Sequence, residues 1–394
     1  MDHQLCLKGH RDGGDQKGDL ALGGQGGGGE LPVCYGECGM ALRKTDAQIS
    51  DLGYQGGAEL PGGLGVLIDR VNALGLKFGI WYEPEMISPD SDLYRAHPDW
   101  CIHVPGRDCS IARQQYVIDM SRADVRENIY GQMKEVLSNY KIDYVKWDFN
   151  RNISEAGSAL LGKEHGEEIF HRFVLGTYEV MDRLTRDFPD ILLENCSGGG
   201  GRFDPAMLYY SPQIWASDNT DAIERIAIQF GTSMCYPAST MGAHVSMSRR
   251  TGFETKGNVA MWGTFGYELD PNHLTEKDIE IVRKQVADYH KYYELTHYGD
   301  LYRIVNPWDN SYYAAWELVS PDKSEMLFTL VNMRYYHCNK RIIRFRGLDA
   351  DKYYTLEENG EVYSGAFLMN AGLNVSRMRS GTGDSFTLHF VEQK

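Results

Sequence analysis

One short segment of the chain combines residue types that can do covalent chemistry. Residues 144–150 are Tyr-Val-Lys-Trp-Asp-Phe-Asn, a pattern typical of a buried β-strand. Because side chains alternate along a strand, Lys146, Asp148 and Asn150 share one face, and the aromatic residues between them face the other way. A nearby lysine keeps a carboxylate ionised, as a nucleophile requires. We predict that Asp148 is a nucleophile, because a buried salt bridge would not explain three polar side chains on one strand face.

A second carboxylate, Asp218, ends a short apolar strand within residues 215–221. Its neighbour Asp221 starts the next helix and is explained more simply as a helix cap. The residues alone leave a capping role and a catalytic role open for Asp218. Two carboxylates in one pocket would suit glycoside hydrolysis, in which one attacks the sugar and the other protonates the leaving oxygen.

Two further segments place polar or flexible residues at strand ends. Trp81 and Glu83 share a face, so Glu83 is a rival for the catalytic acid; the alternative is an aromatic platform with a glutamate that holds a loop. Residues 194–202 contain four consecutive glycines, which permit close approach of backbone N–H groups to a ligand. A phosphate-binding loop would need a Gly-Lys-Ser/Thr ending, which is absent there. Cys196 has no histidine near it in sequence, and we interpret it as a pocket wall.

The elements that must position these residues alternate between helix and strand from about residue 58. Apolar patterns predict strands at 77–81, 143–149, 191–195 and 213–217, and helices at 64–74, 122–140, 164–188, 221–234 and 277–292. Ser121 is the predicted N-cap of the helix at 122–140. Roughly 240 residues of this alternation favour a parallel (β/α)8 barrel over a doubly wound sheet.

After about residue 300 the pattern changes to strands separated by turn signals. The predicted strands lie at 312–318, 326–331, 341–345 and 385–391. They predict a small antiparallel β-sandwich domain after the barrel.

Bulk properties exclude several kinds of partner. The 394 residues carry a net charge of −15, which argues against nucleic acid or anionic membranes as ligands. The eight cysteines form no CxxC pair and no zinc spacing, which predicts reduced thiols and a cytoplasmic protein. We identify no membrane-spanning apolar run and no signal-peptide pattern at the start.

Residues 58–394 resemble the bacterial α-galactosidases of glycoside hydrolase family 36. The matching segments are GLKFGIWYEPEMISPDSDLYRAHPDW, IARQQYVIDMS, YVKWDFNRN, LLENCSGGGGRFDP, WASDNTDAIERIAIQFGTS and GNVAMWGTFGYELD. The resemblance implies a retaining α-galactosidase that hydrolyses terminal non-reducing α-D-galactosides through a covalent glycosyl-aspartate intermediate, with no metal or organic cofactor. Two alternatives are an α-N-acetylgalactosaminidase, which would differ around the sugar 2-position, and a catalytically impaired family fragment.

The family motifs also imply roles for individual residues. They make Asp148 the nucleophile and Asp218 the acid/base. The implied substrate contacts are Trp81, Arg113, Lys146, Asn150, Cys196, Gly198 and Gly199. Together these would supply an aromatic wall, cations and amide donors for sugar hydroxyls, and small residues that line a tight pocket.

The chain departs from the family pattern near its start. By that pattern we expect the family's N-terminal β-sandwich domain to be absent, and we expect the first barrel strand, which should end in Asp-Asp-Gly-Trp, to be aberrant. Residues 35–40 read Tyr-Gly-Glu-Cys-Gly-Met, with Glu37 as a partial substitute for the lost aspartates. The loop after MGAHVS also looks short. We expect the barrel's first strand to be missing or irregular.

These departures set the expected domain organisation. Residues 1–57 are predicted to be a glycine-rich remnant of the first barrel unit, read from a damaged or shifted frame. The catalytic barrel is predicted at 58–298 and the antiparallel β domain at 299–394. The resemblance implies that relatives assemble partly through the N-terminal domain, so with that domain expected to be missing any homo-oligomer is expected to be weakened.

Overall fold

The structure is a computed structural model that describes residues 4–6 and 33–35 as backbone, and residues 63–248, 250–334, 340–376 and 381–393. It divides into two units, the first ending at Ile214 and the second running on from Trp215.

The first unit contains parallel strands that alternate with helices. Its strands are β1 (Gln4–Cys6), β2 (Val33–Tyr35), β3 (Gly79–Tyr82), β4 (Tyr144–Asp148), β5 (Leu192–Cys196) and β6 (Gln213–Trp215), whose last residue begins the second unit. β1 pairs with β2, and β3, β4, β5 and β6 are neighbours in that order, with every pairing parallel. The helices are α1 (Gly63–Ala73), α2 (Asp92–Ala96), α3 (Ala123–Asn139), α4 (Ile169–Asp187) and α5 (Pro205–Tyr210).

Short irregular elements complete this unit. Two-residue strands, Met86–Ile87 and Tyr116–Val117, pair antiparallel, and single 3₁₀ turns lie at Pro98–Trp100 and Gly166–Glu168. The second of these turns accounts for the late start of α4, which was predicted to begin at residue 164.

The core of the first unit lies between the parallel strands and the helices that follow them. In α4, Phe173, Val180 and Leu184 recur at helical spacing and are all buried, so one face of the helix packs inward. Trp147 of β4 is fully buried in the same cluster. The alternation predicted for this strand is therefore correct: its aromatic face packs into the core, which leaves Lys146 and Asp148 on the other face.

The second unit begins with further helices and parallel strands. Its elements are α6 (Ala222–Thr232), β7 (Met241–Ser246), α7 (Phe253–Ala260), β8 (Thr264–Glu268), α8 (Glu276–Lys291) and α9 (Tyr293–Tyr298), with 3₁₀ turns at Ala238–Thr240 and Pro271–His273. β7 and β8 pair in parallel. Sequence analysis missed β7 because all six of its residues are buried, so no alternation marks it as a strand.

An antiparallel sheet follows within the second unit. Its strands are β9 (Asp300–Val305), β10 (Tyr313–Val319), β11 (Glu325–Asn332), β12 (Tyr353–Leu356), β13 (Val362–Ser364) and β14 (Ser385–Glu392), ordered β9-β10-β11-β14-β12-β13. Helix α10 (Gly365–Asn370) follows β13. Aromatic rings of Phe328, Phe345 and Phe390 pack edge to face in its core, at centroid distances of 5.1 and 5.3 Å. Parallel βα units followed by an antiparallel sheet confirm the predicted fold class of a (β/α)8 barrel and a small β domain.

Some local predictions were wrong. Ser121 does not cap α3; Arg122 occupies the N-cap position without a side-chain cap. Asp119 is fully buried, and Ser121 donates to its carboxylate from both the backbone N–H (3.0 Å) and the hydroxyl (2.5 Å). Ser121 lies one residue before the N-cap position, and its hydroxyl serves the buried acid instead.

The strand predicted at 341–345 is also shorter than expected. Only Ile342–Ile343 is paired, with Leu373–Asn374. The predicted boundaries of the three domains stay predictions. Glu37 lies outside the described residues, and the register predicted at 35–40 is described only at Tyr35, the last residue of β2.

Candidate active site

Asp148 lies at the carboxyl end of β4 and is 7% exposed. Its Oδ2 accepts hydrogen bonds from Trp81 Nε1 (3.2 Å) and Asn150 Nδ2 (2.7 Å). Its Oδ1 accepts the backbone N–H of Phe149 at 2.8 Å. Three donors on two oxygens fix the carboxylate in one orientation, and each of them favours a negatively charged acceptor.

Asn150 connects this carboxylate to its surroundings through every polar atom of its amide. Nδ2 donates to Asp148 and also to Glu83 Oε1 at 2.5 Å, while Oδ1 accepts the backbone N–H of Gly198 at 3.2 Å. Carboxylates on the nitrogen side and an N–H on the oxygen side determine which way the amide points. Asn150 therefore joins β4, the residues after β3 and residues 197–201, the glycine segment.

Glu83 receives three donors on a side chain that is only 8% exposed. Besides Asn150, Arg113 Nη1 pairs with Oε1 at 2.9 Å and Gln115 Nε2 donates to Oε2 at 3.3 Å. Because the Glu83 carboxylate accepts from three neighbouring side chains, it is better explained as a glutamate that holds a loop than as a rival catalytic acid.

Lys146 forms a buried ion pair with Glu194, with 3.6 Å between Nζ and Oε1. The two residues lie directly opposite each other on β4 and β5, and Gln213 on β6 donates to Glu194 Oε2 at 2.9 Å. Sequence reasoning related Lys146 to Asp148 alone and missed Glu194. The pairing register of neighbouring strands is the signal that would have found it.

The glycine segment begins where β5 ends. Cys196 is 3% exposed and lies opposite Asp148 in the register of β4 and β5. Gly198 and Gly199 have φ values of +51° and +87°, in the left-handed region that favours glycine. Ser197 Oγ donates to the carbonyl of Phe149 at 3.0 Å. The segment therefore turns back against the end of β4, and its role as a wall of the site stays a prediction.

A fully buried carboxylate, Glu85, supports the site from the core side and was not singled out in the sequence. Trp147 Nε1 donates to Oε1 at 2.7 Å, Thr177 Oγ1 donates to Oε2 at 3.0 Å, and Arg202 pairs with it at 2.9 Å. Arg202 follows the glycine segment directly, and its guanidinium lies over the Phe149 ring at 4.8 Å. The buried indole N–H of Trp147 needs an acceptor, which is the signal that could have pointed to Glu85.

Asp218 belongs to the second unit, three residues after β6, and is exposed. Trp215 Nε1 donates to its Oδ1 at 3.1 Å. Arg225 of α6 is 2% exposed, donates from Nη1 to the carbonyl of Ser217 at 3.1 Å, and lies over the Trp215 ring at 4.8 Å. Burial lowers the pKa of Arg225 to about 10, although the negative charges of Glu268 and Asp218 act in the opposite direction.

The neighbouring Asp221 is the N-cap of α6, as predicted. Its side chain accepts the backbone N–H groups of Ile223 and Glu224. This assigns capping to Asp221 and leaves Asp218, which is not the cap, available for another role.

The first unit brings most of the predicted site residues together. Trp81 and Asn150 contact Asp148 directly, Arg113 is joined to them through Glu83, and Gly198 is joined through Asn150. Within the described ranges, no three His, Cys, Asp or Glu side chains group so as to hold a metal ion. Among those same residues, no helix combines the length and apolarity needed to cross a membrane.

Carboxylates at or just after the ends of parallel strands in βα units are a feature expected of a barrel glycosidase, and Asp148 and Asp218 each accept an indole N–H there. Residues 42–299 match the family model Melibiase, and residues 313–390 match the Glycosyl hydrolase family 36 C-terminal domain. The chain belongs to glycoside hydrolase family 36, which confirms the predicted family.

Similar proteins carry α-galactosidase names. The chain is 49% identical over 322 residues to Alpha-galactosidase AgaA of Geobacillus stearothermophilus, covering 80% of this chain and 44% of that protein. It is 48% identical over 323 residues to Alpha-galactosidase Mel36A of Lactobacillus acidophilus, again covering 80% and 44%. The chain therefore spans less than half the length of the curated relatives it matches.

Solved structures show the same similarity. A crystal structure of an AgaA variant in complex with raffinose matches with a TM-score of 0.87 at 44% identity, covering 92% of this chain and 51% of that one. A second AgaA variant, in complex with stachyose, matches with a TM-score of 0.86 over the same shares of the two chains.

Proposed function

We propose that this protein is a retaining α-galactosidase that hydrolyses terminal non-reducing α-D-galactosides of the raffinose and melibiose type. The observation that carries the proposal is Asp148, a buried carboxylate at a strand end with donors on both oxygens. The relatives named α-galactosidases, and the AgaA complexes with raffinose and stachyose, support the substrate class.

The spacing of two aspartates supports their selection as the reacting pair. The AgaA variants in the raffinose and stachyose complexes each carry an aspartate replacement, and the two replaced aspartates are 70 residues apart in that enzyme. Asp148 and Asp218 are also 70 residues apart. Replacing a reacting carboxylate is one way to keep a bound substrate uncleaved, so the shared spacing favours this pair.

The proposed reaction has two steps. In the first, an oxygen of Asp148 attacks the anomeric carbon, the bond to the leaving oxygen breaks, and protonated Asp218 gives its proton to that oxygen. In the second, ionised Asp218 takes a proton from water, which attacks the same carbon and releases Asp148. Two inversions leave the galactose product with its original α configuration.

The substrate contacts proposed are those implied by the family motifs. Trp81 would supply an aromatic wall, Arg113 and Lys146 would donate to sugar hydroxyls, and Asn150 would both donate and orient Asp148. The small pocket wall would come from Cys196, Gly198 and Gly199. Because Asn150 and Glu83 already link several of these groups, sugar binding would use a preformed network.

The remaining assignments follow from the same proposal. A neutral galactoside is the partner expected for a chain with a net charge of −15, and no cofactor takes part. We infer a cytoplasmic location from the scattered cysteines.

Turnover by the purified chain tests the proposal. We expect release of p-nitrophenol from p-nitrophenyl α-D-galactoside, with little from the matching α-N-acetylgalactosaminide, and loss of turnover by at least about a thousandfold in Asp148→Asn. A thermal melt of both proteins establishes that they are folded. A folded wild-type protein as inactive as Asp148→Asn would contradict the proposal and favour a catalytically impaired fragment.

A further inference from the structure

A tight turn carries Arg113 toward the site in an unusual backbone conformation. The backbones of Ala112 and Gln115 bond to each other in both directions, with N···O distances of 3.3 and 3.0 Å. The two residues between them, Arg113 and Gln114, have φ values of +53° and +62°. Two-residue turns with both φ values positive are normally built from Asn-Gly, Asp-Gly or Gly-Gly. A turn made of Arg-Gln is therefore strained and needs support from its surroundings.

Arg151 supplies that support through its guanidinium. Nη2 donates to the carbonyl of Ser110 at 2.9 Å, and Nη1 donates to the carbonyls of Ala112, at 3.4 Å, and Gln115. Two of these carbonyls belong to the turn, and the third belongs to Ser110, two residues before the turn begins. The fixed planar fork of an arginine suits several acceptors in this way, whereas a lysine offers one point charge.

Because of its position in the chain, Arg151 connects the turn at 112–115 to the site. Arg151 directly follows Asn150, whose amide donates to Asp148, so the guanidinium ties the turn to the end of β4. At the tip of the turn, Arg113 pairs with Glu83 at 2.9 Å while half of its side chain stays exposed. The exposed part of that side chain is where a sugar hydroxyl would meet it.

We propose that Arg151 is a positioning residue that holds the strained turn at 112–115 so that Arg113 meets the substrate. The inference rests on the proposed galactosidase function for its kinetic consequence. Arg151 acts on substrate binding through Arg113 and leaves the reacting carboxylates in place.

Kinetics of Arg151→Ala provide the first test. We expect KM for p-nitrophenyl α-D-galactoside to rise about tenfold or more while kcat stays within about threefold. Arg172→Ala is the matched control, because Arg172 is an exposed arginine that pairs with one carboxylate, Glu168, and it should leave both constants unchanged. In an Arg113→Ala background, Arg151→Ala should add little, because the two residues act as one unit.

A rescue variant separates positioning from a general structural role. Glycine adopts positive φ without strain, so adding Gln114→Gly to Arg151→Ala should recover most of the lost affinity. Gln114→Gly alone should behave like the wild-type protein. The proposal would be overturned if Gln114→Gly left KM raised. It would also be overturned if Arg151→Ala lowered kcat and the melting temperature as well as raising KM.

Hydrogen exchange gives a readout that does not depend on turnover. Amides in the segment 110–116 should exchange faster in Arg151→Ala and return toward the wild-type rate when Gln114→Gly is added. Absence of galactoside turnover in the wild-type protein would count against the proposed function, and the exchange result would still decide the role of Arg151. Unchanged exchange in Arg151→Ala would overturn that role.

Discussion

Asn150 shows how one amide can organise a charged site. It donates to two carboxylates, Glu83 and Asp148, that would otherwise face each other without a shared donor, and it accepts an N–H from the glycine segment. An amide achieves this without adding charge, which a lysine or an aspartate at the same position could not do.

Replacing Asn150 with aspartate tests that electrostatic role. The change keeps the shape but removes two donors and adds a negative charge between two carboxylates. We expect kcat/KM to fall by about 10- to 100-fold at neutral pH. We also expect the acidic limb of the pH profile to move to higher pH, because like charges disfavour full ionisation of three neighbouring carboxylates. Measured pH–rate profiles check this.

Asn150→Ala is the control, since it removes the donors without adding charge. It should lower the rate and leave the acidic limb closer to its wild-type position. Identical profiles for the two variants would mean that the added charge has no influence on the reaction.

At this scale, part of the site could be predicted from the sequence. Alternation along β4 was sufficient to place Lys146 and Asp148 on one face, because that rule depends only on neighbouring residues. The pairing of Lys146 with Glu194 and the burial of Glu85 were missed, because both depend on contacts between elements that are distant in sequence. The role of Glu83 stayed open for the same reason: its donors come from residues 30 and more positions away.

At the scale of elements, α4 packs closely on the chain that precedes α3. A Cβ added at Gly176 would lie 1.9 Å from the carbonyl oxygen of Met120, so only glycine fits in that position. The buried face of α4 could be predicted from its apolar spacing, but this close approach could not, because it is set by the path of another segment.

Gly176→Ala should therefore destabilise the protein although alanine is the better helix former. We expect the free energy of unfolding to fall by about 3 kcal/mol, measured by urea denaturation. Gly131→Ala in α3 is the matched control, because nothing lies within 4 Å of the added Cβ there, and it should stabilise by about 0.5–1 kcal/mol. Equal effects at both positions would contradict the packing described for α4.

In the second unit, a buried imidazole on β14 joins two acidic side chains. His389 is 2% exposed, with Glu325 at 2.5 Å from Nε2 and Glu357 at 2.6 Å from Nδ1. Burial opposes the charged imidazolium, but the hydrogen bonds to the two glutamates outweigh it and raise the pKa of His389 above its usual 6.5. Lys291, which pairs with Glu357, and the Tyr292 ring also lie beside it, and the carboxylate of Glu358 accepts the backbone N–H of His389.

This arrangement predicts a pH dependence with a definite sign. Because the folded-state pKa is raised, the stabilisation is fully present below about pH 6.5 and is lost as the pH rises through the folded value. We expect His389→Gln to lower Tm by roughly 2–6 °C at pH 6, and the difference from wild type to shrink toward pH 9. Scanning calorimetry across this range checks the trend; a difference that widens with pH would show that the imidazole is neutral in the folded protein.

At the scale of the whole chain, composition and periodicity were sufficient to predict the class of fold. Strands such as β4 and β5 were predicted within one residue or two, because apolar runs between amphipathic helices are a local signal. β7 was missed, since a fully buried strand with glycine, alanine and histidine has neither alternation nor strong β propensity. The antiparallel sheet was predicted from its turns, but not its order, in which β14 lies between β11 and β12.

The chain matches less than half the length of its curated relatives, yet both proposed reacting aspartates fall within that matched half. The chemistry proposed here therefore depends on residues that this chain contains. In that proposed chemistry, Asp148 forms the covalent bond to the sugar.

Trapping the covalent intermediate tests whether Asp148 is the nucleophile. A fluorinated α-galactosyl fluoride slows hydrolysis of the covalent intermediate, so incubation with the protein should leave one galactosyl label, which peptide mass spectrometry can locate. We predict a single label on Asp148, absent in Asp148→Asn and present in Asp218→Ala. A label on Glu83 or Asp218, or turnover of galactosides with inversion and no label, would contradict the assignment of Asp148 as the nucleophile.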